Sequence, residues 1–161
     1  MIQAPHVDWF ALAPELAPLA ASAVALLGAV LVRRAWRTPF AAVVVAAGFV
    51  VSFVFDAVLF AHSAHGEAIV SGAMRRDRFG ALAGMIVAGA ALLAVGVSYG
   101  ERLRDHSGEY YALLAAAGGG MIFLGFADNL MTLFLGLEWF SIALYIPVSY
   151  THLTLPTIYS V

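Results

Sequence analysis

The residues best placed to do chemistry lie in one apolar run. In "NLMTLFLGLEWFSIALYI", residues 129–146, the single formal charge is Glu138. On a helix Phe134, Glu138, Ser141 and Tyr145 fall at i−4, i, i+3 and i+7 and share one face. Glu138 lies eight residues after Leu130, about 12 Å along the axis at 1.5 Å per residue, which is near the centre of a bilayer. An acid at that depth costs about 2.5–3.5 kcal/mol on insertion scales and is tolerated when it faces a bundle interior or a hydrated path. The chemistry open to it is reversible proton binding, because burial disfavours a carboxylate and a nearby cation favours it. Ser141 and Tyr145 would extend such a path with hydroxyls. The other use of a membrane carboxyl is a hydrogen bond that holds helices together, and the spacing is compatible with both.

The remaining polar residues carry weaker signals. Glu109, in "SGEYY", opens an apolar run and suits either the positive end of a helix or a surface entry point for protons. Asp56, in "SFVFDAVLF", reads as an interfacial residue near the outer end of its run. Asp128 and Asn129 read as turn and cap residues. His106 reads as a solvated loop residue, and His6, His62 and His65 lack metal-ligand spacing on a common face. "GALAG" (Gly80, Gly84), "GVSYG" (Gly96, Gly100) and "AAAGGG" (residues 115–120) supply the small faces on which membrane helices approach one another closely. No phosphate loop, hydrolase elbow or dinucleotide fingerprint is present.

The elements that must position these residues follow from composition. The 161 residues are 63% hydrophobic and only 11% charged, against about 45–50% and about 25% in an ordinary soluble domain. The expected fold is therefore all-α, a polytopic transmembrane bundle of about five spans: residues 12–32, 39–60, 79–99, 110–126 and 130–146. The fifth run is short for a span of about 20 residues. All eight basic residues are arginine, cysteine is absent, and the net charge is −2, which argues against a nucleic-acid partner and removes thiolate chemistry. Placing "RRAWR" and "ERLR" in the cytoplasm puts five arginines inside and three outside, so the N-terminus is expected outside. Beyond Pro147 the character changes. "VSYTHLTLPT" resembles, over ten consecutive codons, the translation of a transposase adaptor used in sequencing libraries. The expected division is thus residues 1–146 as membrane helices and 147–161 as a non-native tail.

Residues 108–146, "GEYYALLAAAGGGMIFLGFADNLMTLFLGLEWFSIALYI", resemble the antiporter-like membrane subunits of respiratory complex I, most nearly the subunit N family with its mitochondrial counterpart, subunit 2. The resemblance is carried by the "GEYY" helix start, the Asp128 hairpin, "LMTLFLGLE" (residues 130–138), and Leu144 with Tyr145; "APELAPLAA" (residues 13–21) adds to it. It implies a fourteen-helix fold with two inverted five-helix repeats, of which this chain would hold the first helices. It implies that Glu138 pairs with a lysine two helices later in proton translocation, a lysine absent from this sequence. It implies a subunit of a bacterial inner-membrane NADH–quinone oxidoreductase that binds no cofactor itself. NADH and quinone would be used by the whole complex, with the other membrane subunits, the lipid bilayer and protons as partners. A fragment of such a subunit would not be active alone. Two other readings remain open: a subunit of a multisubunit cation/proton antiporter or membrane-bound hydrogenase, and a non-transporting five-span scaffold.

Overall fold

A computed structural model describes residues 9–62, 66–99 and 107–152, with side chains through Tyr145. Five long helices stand where five spans are expected: α1 (Ala13–Leu31), α2 (Arg37–His62), α3 (Arg78–Tyr99), α4 (Ser107–Gly125) and α5 (Leu130–His152). Among the described residues three segments are long and apolar enough to cross a membrane by length and composition: Ala13–Leu31, Arg34–His62 and Arg78–Tyr99. The described part of α5, Leu130–Tyr145, is a shorter apolar helix. α4 combines a polar first turn with three consecutive glycines, which dilutes its apolar character. The helical backbone of α5 runs to His152, past the boundary expected after residue 146.

The helices run alternately up and down, and α4 is the one they share. Pro14 and Ala21 of α1 meet Ser52 and Gly48 of α2, so the first pair is antiparallel. Ser22 Oγ donates to the Ala112 carbonyl at 2.8 Å, joining α1 to α4 across 90 residues of sequence. The side chain of Phe140 in α5 lies against Gly120, and Leu124 lies against Gly136. Two apolar clusters fill the interior. The larger is built mostly from alanines around Val45, Phe49 and Tyr111. The smaller groups Leu59, Met74, Ala81, Ile122 and Phe126. Alanine is the commonest residue in the larger cluster because helices that gain no hydrophobic drive from lipid associate through close backbone approach.

The loop between α2 and α3 contains strand pairing that the sequence reading did not anticipate. β1 (Glu67–Ile69) and β2 (Met74–Arg76) form an antiparallel hairpin, with Glu67 opposite Arg76 and Ile69 opposite Met74. Its turn carries three successive positive φ values, 51° at Val70, 56° at Ser71 and 82° at Gly72. The hairpin docks on the α4–α5 turn. Arg75 N donates to Phe126 O at 2.8 Å and Asp128 N donates to Ala73 O at 3.1 Å. Arg75 Nη1 lies 3.9 Å from Asp128 Oδ1.

One interhelical bond follows from a proline. Pro18 sits inside α1 and has no N–H to give to the carbonyl four residues earlier. That carbonyl belongs to Pro14, and it accepts instead from Ser52 Oγ of α2 at 2.7 Å, a fully buried bond. Ser52→Ala is expected to cost about 1–3 kcal/mol by orphaning a buried acceptor. In a Pro18→Ala background, where residue 18 regains an N–H, the same change should cost clearly less. A double-mutant cycle by denaturant unfolding in detergent micelles checks this, and equal costs in both backgrounds would refute it.

The alternation of helices also fixes which loops share a side. Ala35, between α1 and α2, and Ala68, on the hairpin, are exposed at opposite ends of α2. The chain has no cysteine, so single Ala35→Cys and Ala68→Cys variants report cleanly. An impermeant maleimide added outside cells should label position 68 and spare position 35, and the opposite pattern would invert the topology.

Candidate functional site

The α5 helix is started by Asn129. Its Oδ1 accepts from Thr132 N at 2.8 Å and from Thr132 Oγ1 at 3.0 Å, while its Nδ2 donates to Gly72 O of the hairpin at 3.3 Å. The cap expected at Asn129 is therefore present, and it also ties the helix to the hairpin. α5 packs on α4 through Thr132, Gly136 and Ala143, spaced by four and seven residues, with the Trp139 ring 5.6 Å from that of Phe123. That spacing is one helical face.

Glu138 lies on another face. It is exposed, as are Phe134 and Tyr145, the last at 74%, and Ser141 is half-buried at the border. The shared face predicted for these four residues exists, and α1 to α4 leave it uncovered. Glu109 is half-buried in the first turn of α4. α4 and α5 are antiparallel, so Glu109 lies eleven residues from Gly120, the α4 residue that meets Phe140, or about 16 Å along the axis. The fold does not bring Glu109 to Glu138.

Two acids lie buried inside the bundle. Asp56, expected at an interface, is 0% exposed, and neither carboxyl oxygen has a hydrogen-bond partner. The expectation fails because α3 covers the site with Gly84, whose missing side chain leaves the space that the Asp56 carboxyl fills. Glu15 of α1 is 3% exposed with an unpartnered Oε1, and it lies within electrostatic reach of Asp56. Ser52 and Asp56 are spaced i and i+4, so they share a face of α2. That spacing was the available signal. For Glu15, an acid in the first helical turn beside a proline reads as an ordinary helix start.

The small-residue motifs divide. Gly80 and Gly84 both serve close packing, against Phe126 and Asp56. Gly96 faces open space, so that half of "GVSYG" seals nothing here, and Gly100 is outside the described residues. His62 bonds back to Val58 O within its own helix, while His6, His65 and His106 fall outside the described residues. Among the described residues no group of three or more His, Cys, Asp or Glu could hold a metal ion.

No protein-family model matches the chain. Curated relatives do. NADH-quinone oxidoreductase subunit N 1 of Symbiobacterium thermophilum is 48% identical over 79 residues, 49% of this chain and 16% of the relative. The subunit N of Salinibacter ruber is 42% identical over 62 residues, 38% of this chain and 12% of the relative. Subunit N 1 of Herpetosiphon aurantiacus is 43% identical over 72 residues, 44% of this chain and 15% of the relative. The matched stretches span less than a fifth of the length of these relatives. With a bundle of apolar helices on one side and this set of relatives on the other, the resemblance to the NADH-quinone oxidoreductase subunit N family is borne out: over about half of its length the chain is similar to members of that family.

Proposed function

We propose that this chain is part of a proton-translocating membrane subunit of a bacterial inner-membrane NADH–quinone oxidoreductase, with Glu138 as a station on the proton path. The observation that carries the reading is the match to subunit N proteins at up to 48% identity, joined to an acid within an apolar helix. The uncovered α5 face supports it. A carboxylate turned toward hydrocarbon is costly, so the face bearing Glu138 calls for polar protein or water against it. Further helices of the subunit, or the other membrane subunits of the complex, would supply that cover. The lysine that the family resemblance implies as a partner would belong to one of them. Ser141 and Tyr145 extend the same face with hydroxyls, and Glu109 is a secondary candidate at the membrane surface. The chain's part is to bind and pass protons. NADH oxidation and quinone reduction would be the work of the whole complex, with no cofactor held here.

The test uses membrane vesicles carrying the assembled complex. Glu138→Gln keeps size and some hydrogen bonding but removes the ionisable proton. It should leave assembly intact and lower quinone-linked proton pumping by on the order of tenfold, a fraction of the roughly hundredfold that a proton-transferring side chain can contribute. Glu138→Asp should keep part of the activity, and Glu109→Gln should be milder than Glu138→Gln. If Glu138 only holds helices together, Glu138→Gln will pump normally and Glu138→Ala will lose assembled complex instead. Full pumping by an assembled Glu138→Gln variant would remove Glu138 from the path.

A further inference from the structure

The interior of the bundle is layered. Along α2 the buried residues run Ala41, Val45 and Phe49, then Ser52 and Asp56, then Leu59. Along α3 they run Ala81, then Gly84, then Ala88 and Ala91. The larger apolar cluster lies on one side of this polar level and the smaller on the other. Glu15 reaches the same level from the first turn of α1, next to the Pro14 carbonyl that Ser52 holds at 2.7 Å. α4 closes the level with Gly119, which faces the Glu15 carbonyl and Pro18. Four helices thus enclose two carboxyl groups between two apolar layers, and three of the carboxyl oxygens, Glu15 Oε1 and both of Asp56, have no hydrogen-bond partner.

The groups facing this level decide what could occupy it. The charged and titratable residues of α3 are Arg78 and Tyr99, one at each end, and those of α4 are Glu109, Tyr110 and Tyr111, in its first turns. Arg78 is six residues from Gly84, about 9 Å along the axis, and its guanidinium lies 5.8 Å from the Phe60 ring centroid. α1 contributes Glu15, and α2 contributes Asp56 with Arg37 and His62 at its two ends. Two carboxylates in such a place repel one another, three of their four oxygens lack a donor, and an uncompensated buried charge is among the costliest features a protein can hold. A single proton resolves both problems. It removes one charge and supplies the donor that the second carboxyl lacks.

We propose that Glu15 and Asp56 form a second proton-binding site in the membrane interior, a carboxyl pair that holds one proton between α1 and α2, separate from Glu138. The ligand is a proton exchanged with water. An O–H bond forms on one carboxyl when the site loads and breaks when it empties, with no electron transfer. Gly84 is a positioning element, because a side chain there would overlap the Asp56 carboxyl. The inference does not rest on the role proposed for Glu138, and its readout is on the isolated chain.

The test is infrared spectroscopy of the full 161-residue chain in phospholipid vesicles at neutral pH, following the carbonyl stretch of protonated carboxyl groups and its shift in deuterium oxide. The wild-type chain should show that band, and Glu138→Gln should retain it. Glu15→Gln and Asp56→Asn should each shift its frequency, since each replaces one partner of the shared proton with an amide of similar size. The double variant should lose it. Three results would overturn the proposal: no such band in the wild-type chain, a band that survives the double variant, or single variants that leave its frequency unchanged. The last would show two acids that do not share a proton. Helix content by circular dichroism accompanies each variant, and if the double variant fails to fold the single variants decide.

Discussion

Everything else in this bundle depends on how closely helices can approach α4. Its residues Gly118, Gly119 and Gly120 are separated by about 100° each on a helix of 3.6 residues per turn, so they point in three directions. Gly118 receives the ring of Phe49 from α2, Gly119 lies against Glu15 and Pro18 of α1, and Gly120 meets the backbone of Phe140 in α5. A Cβ at Gly118 would lie 2.6 Å from the buried Phe49 ring, and one at Gly120 would lie 3.0 Å from a backbone nitrogen, whereas Gly119 has ordinary contact distances of 3.6 Å. Three glycines in an interior turn weaken a helix by roughly 0.8–1.0 kcal/mol each relative to alanine. The return is a central helix thin enough to touch three neighbours within one turn.

The hairpin acts at one end of that arrangement. Its backbone joins the α4–α5 turn through Arg75 and Asp128, and Asn129 links it to the start of α5. Asn129 uses its oxygen to begin the helix and its nitrogen to hold the hairpin tip. The smaller apolar cluster sits beneath, with Met74 of the second strand buried among Leu59, Ile122 and Phe126. The hairpin is thereby a lid over the apolar layer that separates the acids from that end of the bundle.

Much of the fold was legible in the apolar runs. Length and apolarity locate all five helices, and Asn129 declares its cap by type and place. What was not legible depends on partners distant in sequence. Asp56 looks interfacial on α2 alone, and becomes interior only because Gly84 of α3 makes room for it. The strands of the hairpin are three residues each, too short to display alternation. The periodicity of α5 correctly groups Phe134, Glu138, Ser141 and Tyr145, but a period says which residues share a face and not which face a neighbour covers. α4 takes the face of Thr132, Gly136 and Ala143 instead, because small residues there admit Leu124 and the backbone of α4.

The bond from Ser22 to Ala112 spans 90 residues, and that separation is also an interval of time. A ribosome adds about 5–20 residues per second, so α1 and α2 are complete roughly 3–13 seconds before α4 has been synthesised. Through that interval the first two helices hold each other by the Ser52 bond to Pro14, while the Ser22 hydroxyl and the Glu15 side of the carboxyl layer wait without their fourth wall. The early chain is therefore a half-built membrane protein whose two acids still lack part of their enclosure. Its safe passage turns on how soon a strip of three glycines arrives from the ribosome.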